Sequence, residues 1–167
     1  MKKFAILGTL ALALPVSAHA DFFRAWLIGY QEVPSVSTVA DGIFEARVAS
    51  DGQSVDFALA FEGLQAPVQQ AHIHFAQKRV NGPIIIWLCG TANVPGPAGT
   101  QTCPQTGTIR GTFTAANVQA SPATQQLAAG ELSELIRAMR AGAAYANVHT
   151  AISPGGEIRG QIYRIGR

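Results

Sequence analysis

The sequence predicts an all-β domain, an antiparallel β-sandwich or Greek-key barrel with one short helix before the last two strands. Three observations point there: apolar and polar residues alternate in short runs, Gly, Pro, Asp and Ser separate those runs at close spacing, and a single stretch carries the period of a helix.

The chain opens with Met1-Lys2-Lys3, a short positive region, followed by an almost unbroken apolar run from Phe4 to Val16 and by Ala18-His19-Ala20, the small-x-small pattern that a signal peptidase reads. Residues 1–20 are therefore expected to be a signal peptide and 21–167 the mature domain, periplasmic or secreted. The apolar run is too short for a bilayer, and no later segment reaches roughly 18 consecutive apolar residues, so no membrane span is expected.

Within the domain, residues 43–49 and 54–61 flank Ser50-Asp51-Gly52-Gln53, the chemistry of a tight hairpin. Phe57, Leu59 and Phe61 alternate with Ala58, Ala60 and Glu62, which makes one face of the second strand strongly apolar. Further strands are read at 70–76, 83–88, 107–114, 143–150 and 156–165, with the turn Ser153-Pro154-Gly155-Gly156 making the last two a hairpin. The helix is read at 130–140, where Leu132, Leu135, Ile136 and Met139 fall on one helical face, Glu131 and Glu134 suit the N-terminal end, Arg137 and Arg140 the C-terminal end, and Gly142 the left-handed stop.

Loss of the signal peptide removes Lys2 and Lys3 from the twelve basic residues and leaves ten against ten Asp and Glu. A near-neutral domain with scattered charges has no footprint for nucleic acid or for an anionic membrane surface. The mature chain is long enough to bury a core without needing a metal or a disulfide merely to fold. Its two cysteines, Cys89 and Cys103, bracket a segment rich in Gly, Pro and Thr. In an exported chain that arrangement favours a disulfide, which would stabilise by about 3 kcal/mol through loop closure; a free thiol pair or two thiolate ligands are the alternatives.

The chemistry lies with three histidines. In Ala71-His72-Ile73-His74-Phe75, strand alternation sends Ala71, Ile73 and Phe75 to one face and both imidazoles to the other. Tyr145, Asn147 and His149 likewise share a face opposite Ala144, Ala146 and Val148, and Glu157, Arg159, Gln161 and Tyr163 alternate with Ile158, Gly160 and Ile162. With the apolar sets in the core, the polar sets form an outer surface. A His-x-His pair on one strand and a third His from a neighbour supply three nitrogens for Cu²⁺ or Zn²⁺, with Tyr145, Asn147, Glu157 and Arg159 as groups that orient them. The competing reading is a polar surface whose histidines only hydrogen-bond. Arg159 beside Glu157 suggests a surface ion pair or a brace to a neighbouring loop. No nucleophile elbow surrounds Ser153 and no phosphate-binding glycine loop is present.

Gln31-Glu32-Val33-Pro34, Ala71-His72-Ile73-His74, Asn81-Gly82-Pro83, the run from Ala143 to Thr150 and Pro154-Gly155-Gly156-Glu157-Ile158-Arg159-Gly160-Gln161 together resemble the CHRD domain, found in the animal signalling antagonist chordin and in bacterial secreted proteins. Arg79 and Val80 stand where that pattern more often has glycine-rich sequence. The resemblance implies an extracellular β-sandwich-like module and no defined activity. In geometry the histidine set is similar to the copper site of copper-zinc superoxide dismutase, which also has a disulfide-tied loop. A fourth copper-ligating histidine and the zinc set have no counterpart here.

Two functions follow as expectations. One is an exported metal-binding domain, copper favoured over zinc, with His72, His74 and His149 as ligands. Any enzymatic activity would be a copper-dependent redox reaction of the superoxide dismutase type on a small oxygen species. The other is a metal-free adhesion or interaction module in which the histidine face, or the loop between the cysteines, meets a protein or polysaccharide.

Overall fold

A computed structural model describes residues 20–166, so the predicted signal peptide lies, but for Ala20, outside the described residues. The chain forms strands β1 (Phe22–Ile28), β2 (Asp41–Val48), β3 (Ser54–Glu62), β4 (Val68–Phe75), β5 (Ile84–Cys89) and β6 (Gly107–Thr114), helix α1 (Leu132–Arg140), then β7 (Ala144–Thr150), β8 (Ile158–Gln161) and β9 (Tyr163–Ile165). They make one antiparallel sheet in the order β5-β4-β7-β8-β1-β2-β3-β6, with β9 pairing the outer part of β1, curled into a nearly closed barrel.

The hairpin read from Asp51-Gly52 joins β2 to β3. Gly52 takes φ +71°, a left-handed conformation open to glycine, and the Asp51 carboxylate accepts the Gln53 N–H at 2.9 Å. Phe57, Leu59 and Phe61 point inward, where Phe57 packs between Phe44 and Phe113 at ring separations of 6.4 and 6.1 Å. The apolar stripe of α1 is buried as its spacing requires, and Gly142 ends that region at φ +68°. Cys89 and Cys103 are bridged, with Cα atoms 4.9 Å apart, and Gly90 exchanges main-chain hydrogen bonds with the segment 101–103.

Two elements depart from the sequence reading. Strand β1 gives no alternation signal because Phe22, Trp26 and Ile28, on its outer face, are as apolar as Phe23, Ala25 and Leu27, on its inner one. The C-terminal run is two strands, since Ile162 turns fully into the core between β8 and β9, its N–H bonded to the Ala144 carbonyl. Beside this junction Asp21 is buried and takes Arg140 on one oxygen and Arg164 on the other.

The sheet has two kinds of half. Across β1, β2, β3 and β6 one face is core and the other meets solvent, whereas every residue of β7 and β8 is buried. Segments 29–36, 77–83 and 151–156 lie over the polar face of β4, β7 and β8. They are fastened there by Arg159 to Val80 and Asn81, by Asn81 to Val33, and by imidazoles to Gly82 and Pro154. Among the described residues, no helix is long and apolar enough to cross a membrane.

Candidate metal centre

Register brings the three histidines together. His72 and His74 of β4 lie opposite Asn147 and Tyr145 of β7, which in turn lie opposite Arg159 and Gln161 of β8. His149, two residues beyond Asn147, becomes the diagonal neighbour of His72. Opposite the histidines the neighbouring strand β5 carries an extra residue at two points, Leu88 beside Ala71/His72 and Ile85 beside Ile73/His74, the kind of bulge that occurs next to sites. One nitrogen of each ring lies within 4.8 Å of the others, and the ring centres are 4.9 to 6.2 Å apart.

The site is buried, which corrects the expectation of an outer surface. His72 is 0 % exposed and His74 and His149 6 % each, because the three covering segments close over a face that alternation alone assigns to water. Trp87 stands edge-on to His72 with ring centres 4.3 Å apart. Burial, reinforced by the mutual repulsion of the rings, pushes His72 down to about 2. Burial likewise takes His74 down to about 4 and lowers His149, against hydrogen bonds that favour the charged forms. All three are therefore neutral bases at physiological pH.

Main-chain carbonyls decide which nitrogen each ring offers. Nδ1 of His149 faces the Pro154 oxygen at 2.9 Å, and Nδ1 of His74 faces the Gly82 oxygen at 2.8 Å. A carbonyl only accepts, so both Nδ1 atoms carry the proton and donate, and both Nε2 atoms present a bare lone pair. Nε2 of His149 is 3.2 Å from Nδ1 of His72 and 3.0 Å from Oδ1 of Asn147. Two ligand atoms on one tetrahedral ion with bonds of about 2.0 Å would stand about 3.3 Å apart. Nε2 of His74 and Nε2 of His72 are buried with no hydrogen-bond partner among the described residues. The cluster thus holds more acceptors than protons within a span of 4.8 Å, a deficit of the kind that a cation satisfies.

The neighbours named from the sequence divide. Tyr145 stacks on His74, ring centres 4.6 Å apart and planes parallel, and the Arg159 guanidinium lies 3.3 Å over the other member of that stack, the Tyr145 ring. Arg159 also donates to Asn81 Oδ1 at 3.0 Å and to the Val80 carbonyl at 2.7 Å, so it is the brace that one reading expected. Asn147 reaches His149 directly. Glu157 does not belong to this group, nor does it pair with Arg159. It precedes β8, and its buried carboxylate accepts from Thr150 Oγ1, Thr38 Oγ1 and the Gln65 N–H, tying the turn to segments on the opposite face.

The carboxylate that does face the site is Glu32, absent from the sequence-derived set. It is 5 % exposed, and burial raises it to about 7 against the attraction of Arg159 and hydrogen bonds from Val33 and Asn147. Gly156 makes room for it: at φ +123°, a Cβ there would fall 2.2 Å from Glu32 Oε1. Only its place in Gln31-Glu32-Val33-Pro34 marked it in the sequence, since a single acid in a turn-rich segment has no spacing to a distant strand.

Compared with known proteins, residues 23–162 match the family model described as CHRD domain. No curated protein sequence and no solved structure matches the chain.

Proposed function

Since the chain belongs to the CHRD domain family, which carries a fold and names no reaction, we propose a function from its own residues: an exported protein that holds a copper ion between His72, His74 and His149. The observation that carries this reading is the cluster of three buried, neutral imidazoles, two of which, His74 and His149, commit their protons to main-chain oxygens and leave Nε2 bare. Imidazole suits copper and zinc alike, and Cu²⁺ binds a given nitrogen set more strongly, so copper is favoured where both are present. Asn147 Oδ1 adds a neutral oxygen beside His149, and Tyr145 and Arg159 hold His74 in place. Redox chemistry on a small oxygen species is the reaction such a centre would support.

The test is to purify the protein from a host supplied with both metals and to measure bound metal and the copper spin-resonance spectrum. About one ion per chain with nitrogen coupling is expected, falling at least about tenfold in affinity in His72→Ala and His149→Ala proteins that still unfold cooperatively. Metal content unaffected by either substitution would sink the reading. Export is supported by the order of charge, apolar run and cleavage motif, and the Cys89–Cys103 bridge is consistent with it. Protein recovered outside the cytoplasm should begin at Asp21.

A specific observation also favours the interaction reading, at a different place. The buried histidines present no docking face, but Phe22, Trp26 and Ile28 project from the outer face of β1 with Tyr163 of β9 beside them, all exposed.

A further inference from the structure

Beside the histidines, and separate from their ligand atoms, lies a cavity of about 330 Å³ whose lining includes Tyr30, Glu32, Lys78, Arg79, Arg159 and Gln161. Its wall holds two acceptors that no donor reaches. Glu32 Oε1 and Gln161 Oε1 are buried acceptors with no hydrogen-bond partner among the described residues. The orientation of Gln161 is fixed by its own bonds, since its amide nitrogen faces the carbonyls of Ala76, Gly142 and Ala144, which leaves the oxygen turned away from them. A native interior leaves few such oxygens unpaired.

The mouth has the opposite deficit. Lys78 and Arg79 are exposed and enter none of the ion pairs among the described residues. Arg79 holds φ +67°, a conformation unfavourable for a side chain and suited to glycine, so the cation stands here at a cost to the turn. Arg159, a third cation in the wall, has two of its nitrogens committed to Asn81 and Val80, and it therefore fixes the shape of the cavity.

We propose that this cavity binds a small carboxylate that also carries a hydroxyl or ammonium group, of the α-hydroxy or α-amino acid class. The donor satisfies Glu32 and Gln161, and the carboxylate lies between Lys78 and Arg79. The inference goes beyond the metal reading and does not depend on it, because none of the lining residues is a proposed ligand.

The experiment is calorimetric titration of L-lactate, L-alanine and acetate into the chelator-treated protein. Lactate and alanine should bind at least about tenfold more tightly than acetate, which has no donor to offer. Arg79→Gly relieves the turn, so the fold is kept, and should weaken all three by about fivefold or more. Glu32→Gln should weaken alanine more than lactate, since it removes the charge that holds an ammonium and keeps an acceptor. Arg110→Ala, on the open half of the sheet, should leave every value unchanged, and binding to the chelator-treated protein separates this proposal from the metal site. Equal affinity for acetate, no saturable binding of any of the three, full affinity in Arg79→Gly, or full alanine affinity in Glu32→Gln would overturn it.

Discussion

On β3 the residues alternating with Phe57, Leu59 and Phe61 are Ala58, Ala60 and Glu62, and they meet solvent in part or fully; on β7 those alternating with Ala144, Ala146 and Val148 are Tyr145, Asn147 and His149, and they are buried. The alternation is the same. What differs is the cover: β3 is backed by the core alone, while two segments from distant parts of the chain and the turn between β7 and β8 are tied over β7 and its neighbours. A polar face in the sequence therefore states only that the face is polar. Whether water or a site lies against it depends on connections that alternation does not encode.

Arginine gives the widest separation between the halves. Arg159 on β8 is 2 % exposed, its guanidinium bonded to Asn81 and Val80 of the cover and stacked on Tyr145, and Arg110 on β6 is exposed. Arg159→Ala should cost about 3–5 kcal/mol in urea denaturation, because partners in a closed site are left unsatisfied, and Arg110→Ala within about 0.5 kcal/mol. Equal effects would erase the distinction between the halves.

Acid should act on the covered half next. The histidines have folded pKa values below their ordinary 6.5, to about 4 for His74 and about 2 for His72. Their contribution is complete above 6.5 and is lost as the pH falls toward the folded values, because the unfolded chain takes up the protons first. From pH 6.5 to pH 5 each should remove on the order of 2 kcal/mol from the metal-free protein. Glu32, raised from 4.5 to about 7, acts with the opposite sign, its contribution being complete below 4.5 and lost as the pH rises through 7. Denaturation midpoints across pH 5 to 7 should therefore fall on acidification in the parent and fall more steeply in Glu32→Gln. A midpoint that rises on acidification would contradict the neutral, buried assignment.

Smaller changes sharpen the boundary. Thr38→Val removes one of the donors to Glu157 and should cost about 1–2 kcal/mol while leaving metal affinity unchanged, since Glu157 serves the face away from the histidines. Trp26→Ala, at a side chain 64 % exposed on the outer face, should change stability by no more than about 0.5 kcal/mol and metal content not at all.

Strand identity and facing were legible wherever the alternation was clean, as in Phe57-Ala58-Leu59-Ala60-Phe61 and Ala71-His72-Ile73-His74. So was the helix, through Leu132, Leu135, Ile136 and Met139. Strand β1 was not, because both of its faces are apolar. For the candidate site, the proximity of the three histidines to one another and to Tyr145, Asn147 and Arg159 could be read from which residues share a strand face. Burial, Glu32 and the carbonyls of Gly82 and Pro154 could not. They arrive through loops, and a main-chain oxygen has no letter of its own in a sequence.

The placement of β1 bears on how the domain is made. Phe22–Ile28 is the first strand among the described residues, yet it lies in the interior of the sheet, with β2 on one side and β8 and β9 on the other. One of its two edges stays unpaired until residues 158–165 arrive, and the pairing spans nearly the whole domain. Contacts of such separation form slowly because the loop must close before they stabilise anything. A chain delivered N-terminus first, from a ribosome or through a translocation pore, therefore completes its barrel only after the last strand has emerged.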